Sequence, residues 1–177
     1  MLPIHKRQKY VCVDLGTYCG YSTLVLASTL RQLLQERQAS EQPFEFHIYT
    51  TEVSTKLLNV AQSIFRLAKV DAYITPILVK SEGQEPLSQS LKQHGVSNID
   101  FLLLDHAKNL YLTDVQDLED SKLLSAGSHV SADNVVYNRL DSYREHMHKL
   151  MLRRVVESRL EEMNLEYSNN LKDGIGE

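Results

Sequence analysis

The sequence predicts an α/β fold, with a mostly parallel sheet covered by helices on both faces. Two observations carry this reading. Short runs rich in β-branched residues alternate with helical stretches five times, and those runs are apolar on both faces rather than on alternate residues. Right-handed crossovers join strands of that kind. The 177 residues suit a single domain spanning 1–177, long enough to bury a core of its own. At 42% hydrophobic and 24% charged residues, the composition is that of a globular chain, which excludes a disordered or collagenous one.

The elements follow in order. Tyr10-Val-Cys-Val-Asp-Leu15 is a buried strand that enters a turn at Gly16. Leu24, Leu26, Ala27, Leu30, Leu33 and Leu34 then recur at helical spacing, with Ser22 in the position of an N-cap. The polar stretch Gln35 to Gln42 reads as a surface insertion. Phe44 to Thr51 is a second strand. Ser54 to Ala68 is a helix whose Leu57, Leu58, Ala61, Ile64, Phe65 and Ala68 share one face. Tyr73 to Val79 gives a third strand, Pro86 to Gln93 a short helix, and Asp100 to Asp105 a fourth strand. Val115 to Leu124 forms a helix and Gly127 to Ala132 a fifth strand. Beyond it we expect a helix over Arg139 to Leu150 and a strand over Arg154 to Glu162. Asp173-Gly174 is a hairpin signal with almost no chain after it to return.

Composition also narrows the partners. A net charge of −4 and a pI near 6.0 give no electrostatic footprint for nucleic acid. No apolar run approaches the length of a membrane span, and no apolar segment follows the basic residues near His5. Two cysteines, Cys12 and Cys19, are too few for a disulfide framework and point to reducing cytosol. The expectation is a cytoplasmic, monomeric protein that binds a small molecule, and neither nucleic acid nor membrane.

In open α/β sheets, ligands bind beyond the carboxyl ends of the strands. Four such ends carry unusual polar residues: Asp14 to Gly20, Glu52, Asp105-His-Ala-Lys108 and Asp133-Asn134. Gly16 and Gly20 lack the spacing of a dinucleotide fingerprint, and a tight strand-to-helix turn explains them equally well. Glu52 stands where an acid accepts both hydroxyls of a ribose; a solvated acid ahead of a Ser54-capped helix is the alternative. No Walker-type lysine is present, so a nucleoside without phosphates to cradle fits better than ATP. Asp105, Asp133 and Asn134 are hard oxygen ligands on adjacent strands, a set that suits Mg²⁺. The absence of an accompanying cysteine or converging histidine pair argues against zinc. Lys108, one turn past Asp105, reaches the same ion, which would lower its pKa. The alternative is a helix-capping aspartate and a surface lysine. His129, His146 and His148 are placed for packing or solvent, and no histidine is placed to activate Cys12 or Cys19.

Four segments resemble the catechol O-methyltransferase family, in order and at compatible spacing. They are Asp14-Leu-Gly-Thr-Tyr-Cys-Gly-Tyr-Ser-Thr23, Leu104-Asp-His-Ala-Lys-Asn-Leu-Tyr-Leu112, Ser131-Ala-Asp-Asn-Val135 and Asn164-Leu-Glu-Tyr167. The resemblance runs from about Val11 to Gly174. It implies a Rossmann-like sheet that binds S-adenosylmethionine, with Mg²⁺ holding both oxygens of a catechol. Carried over by position, Asp105, Asp133 and Asn134 are metal ligands and Lys108 is the base that deprotonates the attacking hydroxyl. Gly16, Tyr18 and Ser22 line the methionine end of the cofactor, Glu52 holds the ribose, and Asp105 and His106 lie beside the cofactor. A residue at Ser81-Glu82 reaches the adenine. Asn134 and Glu166 contact the substrate, Glu166 through the second catechol hydroxyl.

The sequence departs from that family in three ways. Only about ten residues precede Val11, where the family has helices covering the cofactor and substrate. Ala107 replaces a bulky indole, and a wall-forming proline is replaced near Asn138. A last strand is expected after the Asp-Gly turn, and the sequence ends at Glu177. A Mg²⁺-dependent catechol O-methyltransferase is the leading expectation. A non-catalytic binding protein of the same fold and a methyltransferase for a larger acceptor are the alternatives.

Overall fold

The computed structural model describes residues 9–39, 44–80, 85–164 and 172–176. Its strands are β1 (Lys9–Leu15), β2 (Glu45–Glu52), β3 (Ile74–Leu78), β4 (Phe101–Leu104), β5 (His129–Ala132), β6 (Leu160–Asn164) and β7 (Lys172–Gly176). Its α-helices are α1 (Tyr21–Ala39), α2 (Thr55–Leu67), α3 (Leu87–Gln93), α4 (Tyr111–Asp120) and α5 (Asp141–Leu152). The seven strands form one sheet in the order β3-β2-β1-β4-β5-β7-β6. The five strands from β3 to β5 pair in parallel, and β7 is antiparallel to both of its neighbours. This is the Rossmann-like architecture expected from sequence.

Strand β1 shows why both faces are covered. Tyr10 and Cys12 pack with Ala27 and Leu30 of α1 and Ala61 and Phe65 of α2. Val11, Val13 and Leu15 pack on the other side with Leu91, Val115, Leu118 and Met147 of α3, α4 and α5. The period of two along the strand sends alternate side chains into two separate cores, so a strand apolar at every position is stable only between two helical layers. Burial pushes the Cys12 thiol up to about 12, and the neighbouring Asp14 carboxylate adds to the effect. Cys12 is core.

The sequence misplaced several boundaries. Ser22 lies inside α1, because the chain enters the helix at Gly20, whose carbonyl accepts from Leu24 N. Helix α1 also runs through Gln35 to Ala39, so that stretch is its last turns and not an insertion. Helix α4 begins at Tyr111, one turn earlier than expected, because a 3₁₀ turn over Lys108–Leu110 feeds directly into it. Strand β6 starts at Leu160, after a non-strand stretch from Arg153. The Asp-Gly signal was misleading in the same way. Asp173 and Gly174 sit inside β7, where Gly174 pairs with Glu162, so the chain end supplies the seventh strand.

This topology positions the site. Strand β1 leads to β2 on one side and sits against β4 on the other, so the chain reverses direction of travel across the sheet between β1 and β4. A crevice opens at such a switch point, beyond the carboxyl ends. Backbone bonds knit those ends together. Gly16 N and Thr17 N donate to Thr51 O, and Asp105 N donates to Leu15 O at 2.9 Å.

Candidate active site

The turn after β1 is shaped by what it must approach. Gly16 has φ +106°, and a side chain there would press into the Asp105 carbonyl. Only glycine lets the β1 turn pass this close to the end of β4. Asp14 is fully buried beneath the turn; its Oδ2 accepts from Ser22 Oγ at 2.8 Å and Thr23 Oγ1 at 2.6 Å. Its Oδ1 is buried without a partner. Burial pushes this carboxyl up to about 6, against the lowering effect of those two hydroxyls. A buried carboxyl beneath a glycine turn favours, through its charge, a ligand above the turn that is positive, such as S-adenosylmethionine.

Glu52, at the end of β2, braces the same turn. Its Oε2 accepts from Tyr18 N at 2.9 Å, and its Oε1 accepts from Val53 N and Ser54 N, each at 2.9 Å. Ser54 also caps α2, accepting from Leu57 N. Glu52 thus stands ahead of a Ser54-capped helix, and three backbone N–H groups take three of the four acceptor positions of its carboxylate. Tyr18 is 66% exposed with φ +47°, standing out from the turn.

At the end of β4, Lys108 Nζ donates to Asp105 Oδ1 at 2.8 Å and to Tyr111 Oη at 2.7 Å. Tyr111, fully buried at the start of α4, directs its own proton to Leu104 O at 2.6 Å, with Asp133 O at 3.2 Å. One phenol oxygen thus ties the ends of β4 and β5 to the lysine. Tyr111 was not singled out from sequence, although its three-residue spacing from Lys108 was a usable signal. His106 stacks on the Tyr111 ring, 5.1 Å between centroids, and pairs through Nε2 with Asp114 at 2.8 Å. Its Nδ1 is buried without a partner.

At the end of β5, Asp133 Oδ1 accepts from Asn134 N at 2.8 Å, and Asn134 adopts φ +58°. Burial pushes the Asp133 carboxyl up, and the Asp105 charge adds to it. Asn134 Nδ2 donates to Asp173 Oδ2 at 2.6 Å, and Asp173 Oδ1 accepts from Tyr137 N and Gly174 N. Burial pushes Asp173 up, but these donors outweigh it and hold the carboxyl below its usual range. Asp173 is a second residue that sequence reasoning missed. Its partner lies 39 positions away, beyond any local pattern.

The structure therefore gathers Gly16, Tyr18, Ser22 and Glu52 at one side of the crevice and Asp105, His106, Lys108, Asp133 and Asn134 at the other. Ser81 and Glu166 lie outside the described residues. Among the described residues no three histidine, cysteine, aspartate or glutamate side chains gather to hold a metal. The candidate set is two carboxylates and an amide oxygen. Its hard donors, with the Asp105 charge adding to what burial does to Asp133, fit a hard cation such as Mg²⁺. Two surface grooves, of about 530 and 490 Å³, lie elsewhere, on the outer side of α2 and between α5 and β6. Neither is lined by the polar residues of the crevice. No described helix is long and apolar enough to cross a membrane.

Comparison with known proteins agrees with this geometry. The transmembrane O-methyltransferase of Propithecus coquereli is 36% identical over 127 residues, covering 71% of this chain and 42% of that protein. The human transmembrane O-methyltransferase is 35% identical over 127 residues, covering 71% and 39%. Catechol O-methyltransferase of Bos taurus is 30% identical over 144 residues, covering 81% and 48%. The chain spans about two fifths to one half of the length of these curated relatives. Among solved structures, the O-methyltransferase from Bacillus cereus in complex with SAH superposes with a TM-score of 0.69 at 18% identity, covering 94% of this chain and 71% of that one. The O-methyltransferase TomG from Streptomyces achromogenes, in complex with SAM, gives 0.67 at 18% identity, covering 94% and 70%. Residues 13–135 match the family described as a methyltransferase domain. With the sheet order, the glycine turn and these relatives in agreement, this chain belongs to the methyltransferase-domain family, among proteins like catechol O-methyltransferase, and has the fold of S-adenosylmethionine-dependent O-methyltransferases.

Proposed function

We propose that this chain transfers a methyl group from S-adenosylmethionine to one hydroxyl of a catechol-like small molecule, with Mg²⁺ held by Asp105, Asp133 and Asn134. The observation that carries the reading is Lys108 Nζ, held between Asp105 and Tyr111 at the crevice mouth. When bound, the metal would acidify the acceptor hydroxyl and the sulfonium would supply the methyl group. The chain's own residues do the rest. Lys108, in its neutral form, takes the hydroxyl proton at Nζ. Asp105 and Tyr111 then stabilise the ammonium that forms, since both accept from it. Glu52 and the Gly16 turn hold the cofactor side rigid, so the methyl donor and the acceptor oxygen stay in line.

Ala107 is exposed, and so is Asp105, where the resemblance places a bulky wall. That openness favours, as a second reading, an acceptor larger than a simple catechol. We further propose a monomer in the cytoplasm acting on a diffusible acceptor, with neither nucleic acid nor membrane as partner. The net charge of −4 supports the exclusion of nucleic acid.

Calorimetry with S-adenosylmethionine, with and without Mg²⁺ and pyrocatechol, tests the reading, together with a methyl-transfer assay of the parent and Lys108→Met. The expected result is cofactor binding in both variants, turnover in the parent, and a rate lower by about 10² or more in Lys108→Met. Cofactor binding without turnover of any catechol would leave a binding protein. Turnover that does not depend on Lys108 would remove the lysine from the mechanism.

A further inference from the structure

An asparagine amide presents an acceptor at one end and a donor at the other, in nearly the same shape. A hard cation accepts only the oxygen. If Asn134 is a cation ligand, something must choose which end faces the ion. The backbone is already held. It is fixed in the left-handed region at φ +58°, and its N–H is bonded to Asp133 Oδ1. The side-chain torsions, and with them the direction of the amide, remain to be set.

We propose that Asp173 makes that choice: it is a positioning residue that holds Asn134 Nδ2 and thereby turns Asn134 Oδ1 toward the cation. This rests on the reading of Asp105, Asp133 and Asn134 as a cation site. The bond from Asn134 Nδ2 to Asp173 Oδ2 is 2.6 Å, and a carboxylate can only accept, so the amide nitrogen must face it. The oxygen then lies on the far side. Asp173 is itself immobile. It is 4% exposed, and its Oδ1 accepts from Tyr137 N at 3.1 Å and Gly174 N at 2.7 Å. It comes from β7, so the last strand of the sheet has a part in the site as well as in the fold. An outer partner that orients a metal ligand is conserved in effect across metal sites and typically alters affinity by about 10–100-fold.

The test uses an isosteric change. In Asp173→Asn the amide oxygen must remain toward Tyr137 N and Gly174 N, since an NH₂ there would meet two donors. The new NH₂ therefore replaces Oδ2 and faces Asn134. Asn134 then has to offer its oxygen to that NH₂ and its own NH₂ to the ion. Binding of Mn²⁺ alone, followed by electron paramagnetic resonance on the full chain, should weaken by about tenfold or more. Adding Asn134→Asp to Asp173→Asn supplies one carboxylate oxygen for the new NH₂ and another for the ion, so Mn²⁺ affinity should return toward the parent's. Thermal unfolding without metal should place Asp173→Asn near the parent.

Unchanged Mn²⁺ affinity in Asp173→Asn overturns the proposal. So does a double variant that binds no better than Asp173→Asn alone, because amide orientation is then not the cause. A fall in the metal-free unfolding midpoint that the double variant fails to repair assigns Asp173 to the fold only and also overturns it. The underlying reading fails separately: if the parent and Asp105→Ala bind Mn²⁺ equally poorly, there is no cation site to position and the proposal falls with it.

Discussion

Lys108 Nζ donates to the Tyr111 hydroxyl at 2.7 Å, and that hydroxyl sends its only proton to the Leu104 carbonyl at 2.6 Å. The direction of the proton settles the roles. Tyr111 can only accept from the lysine, and so can the ionised Asp105. Two of the three hydrogen-bonding directions of Nζ are therefore committed, and the third is left for an acceptor hydroxyl. Burial, followed by the Asp105 and Asp133 charges, pushes the phenol up, so it stays protonated at neutral pH.

Tyr111→Phe keeps the ring between His106 and Tyr143 but removes this oxygen. Leu104 O keeps its bond from Asp133 N but loses the shorter one from the hydroxyl, which should destabilise the fold by about 1 kcal/mol. In the methyl-transfer assay, kcat should fall by about tenfold, with KM for the acceptor little changed, because the lysine is misdirected and the binding groups are untouched. An unchanged kcat would show that Asp105 alone aims the lysine.

Two glycines separate backbone strain from close approach. Gly16 and Gly95 both have positive φ, at +106° and +89°, but a side chain at Gly95 would meet open space. Gly95→Ala should therefore cost only the dihedral strain, roughly 1–2 kcal/mol. Gly16→Ala adds a clash with the Asp105 carbonyl and should cost about 3 kcal/mol or more, with loss of S-adenosylmethionine binding. Urea midpoints and calorimetry measure both. Equal destabilisation of the two variants would mean that the β1 turn can move away from β4.

The site was legible where its signal is local. The glycine turn, Asp105 with Lys108, and Asp133 with Asn134 all sit at strand ends, and strand ends follow from hydrophobic runs. Residues that act across the sheet were not legible. Tyr111 reaches Asp133 across 22 positions, and Asp173 reaches Asn134 across 39. Both contacts exist only because β4, β5 and β7 are neighbours. Local signals also lost to tertiary ones. Asp173-Gly174 has the composition of a turn, yet pairing with β6 and β5 draws it into a strand. Ser22 has the chemistry of a cap, but the buried Asp14 carboxylate claims its hydroxyl.

Glu52 should behave as a brace more than as a charge. Its three backbone donors all need an acceptor, and Glu52→Gln can supply only one oxygen. If that oxygen keeps Val53 N and Ser54 N, the NH₂ meets Tyr18 N, donor against donor. The turn should loosen, at a cost of about 1 kcal/mol because the bond to Tyr18 is exposed, and cofactor affinity should fall by about tenfold. Faster hydrogen exchange at the Tyr18 amide would report the loosening directly. Weaker cofactor binding with an unchanged Tyr18 amide would instead place the whole effect at the ribose.

Asp14 makes a prediction about pH. Its carboxyl lies at about 6 in the folded protein against an ordinary value of 3.8, with burial as the main cause. Between those values the unfolded chain has ionised and the folded one has not. Ionisation therefore favours the unfolded state as pH rises from 3.8. The penalty is complete above about 6 and absent below 3.8. The difference between 3.8 and about 6 corresponds to roughly 3 kcal/mol. Asp14→Asn removes the ionisation while its amide oxygen still accepts from Ser22 and Thr23. Asp133 is pushed up as well and Asp173 acts in the opposite sense, so the informative quantity is the stability difference between variant and parent. Urea unfolding at pH 4.5 and pH 7 should show that difference moving in the variant's favour, by up to about 3 kcal/mol. The same variant should bind S-adenosylmethionine more weakly at pH 7, since the parent's penalty is offset when a positive ligand meets the ionised acid. A difference that stays flat with pH would mean that the buried oxygen of Asp14 carries no charge near neutrality. The glycine turn would then present a neutral floor to its ligand.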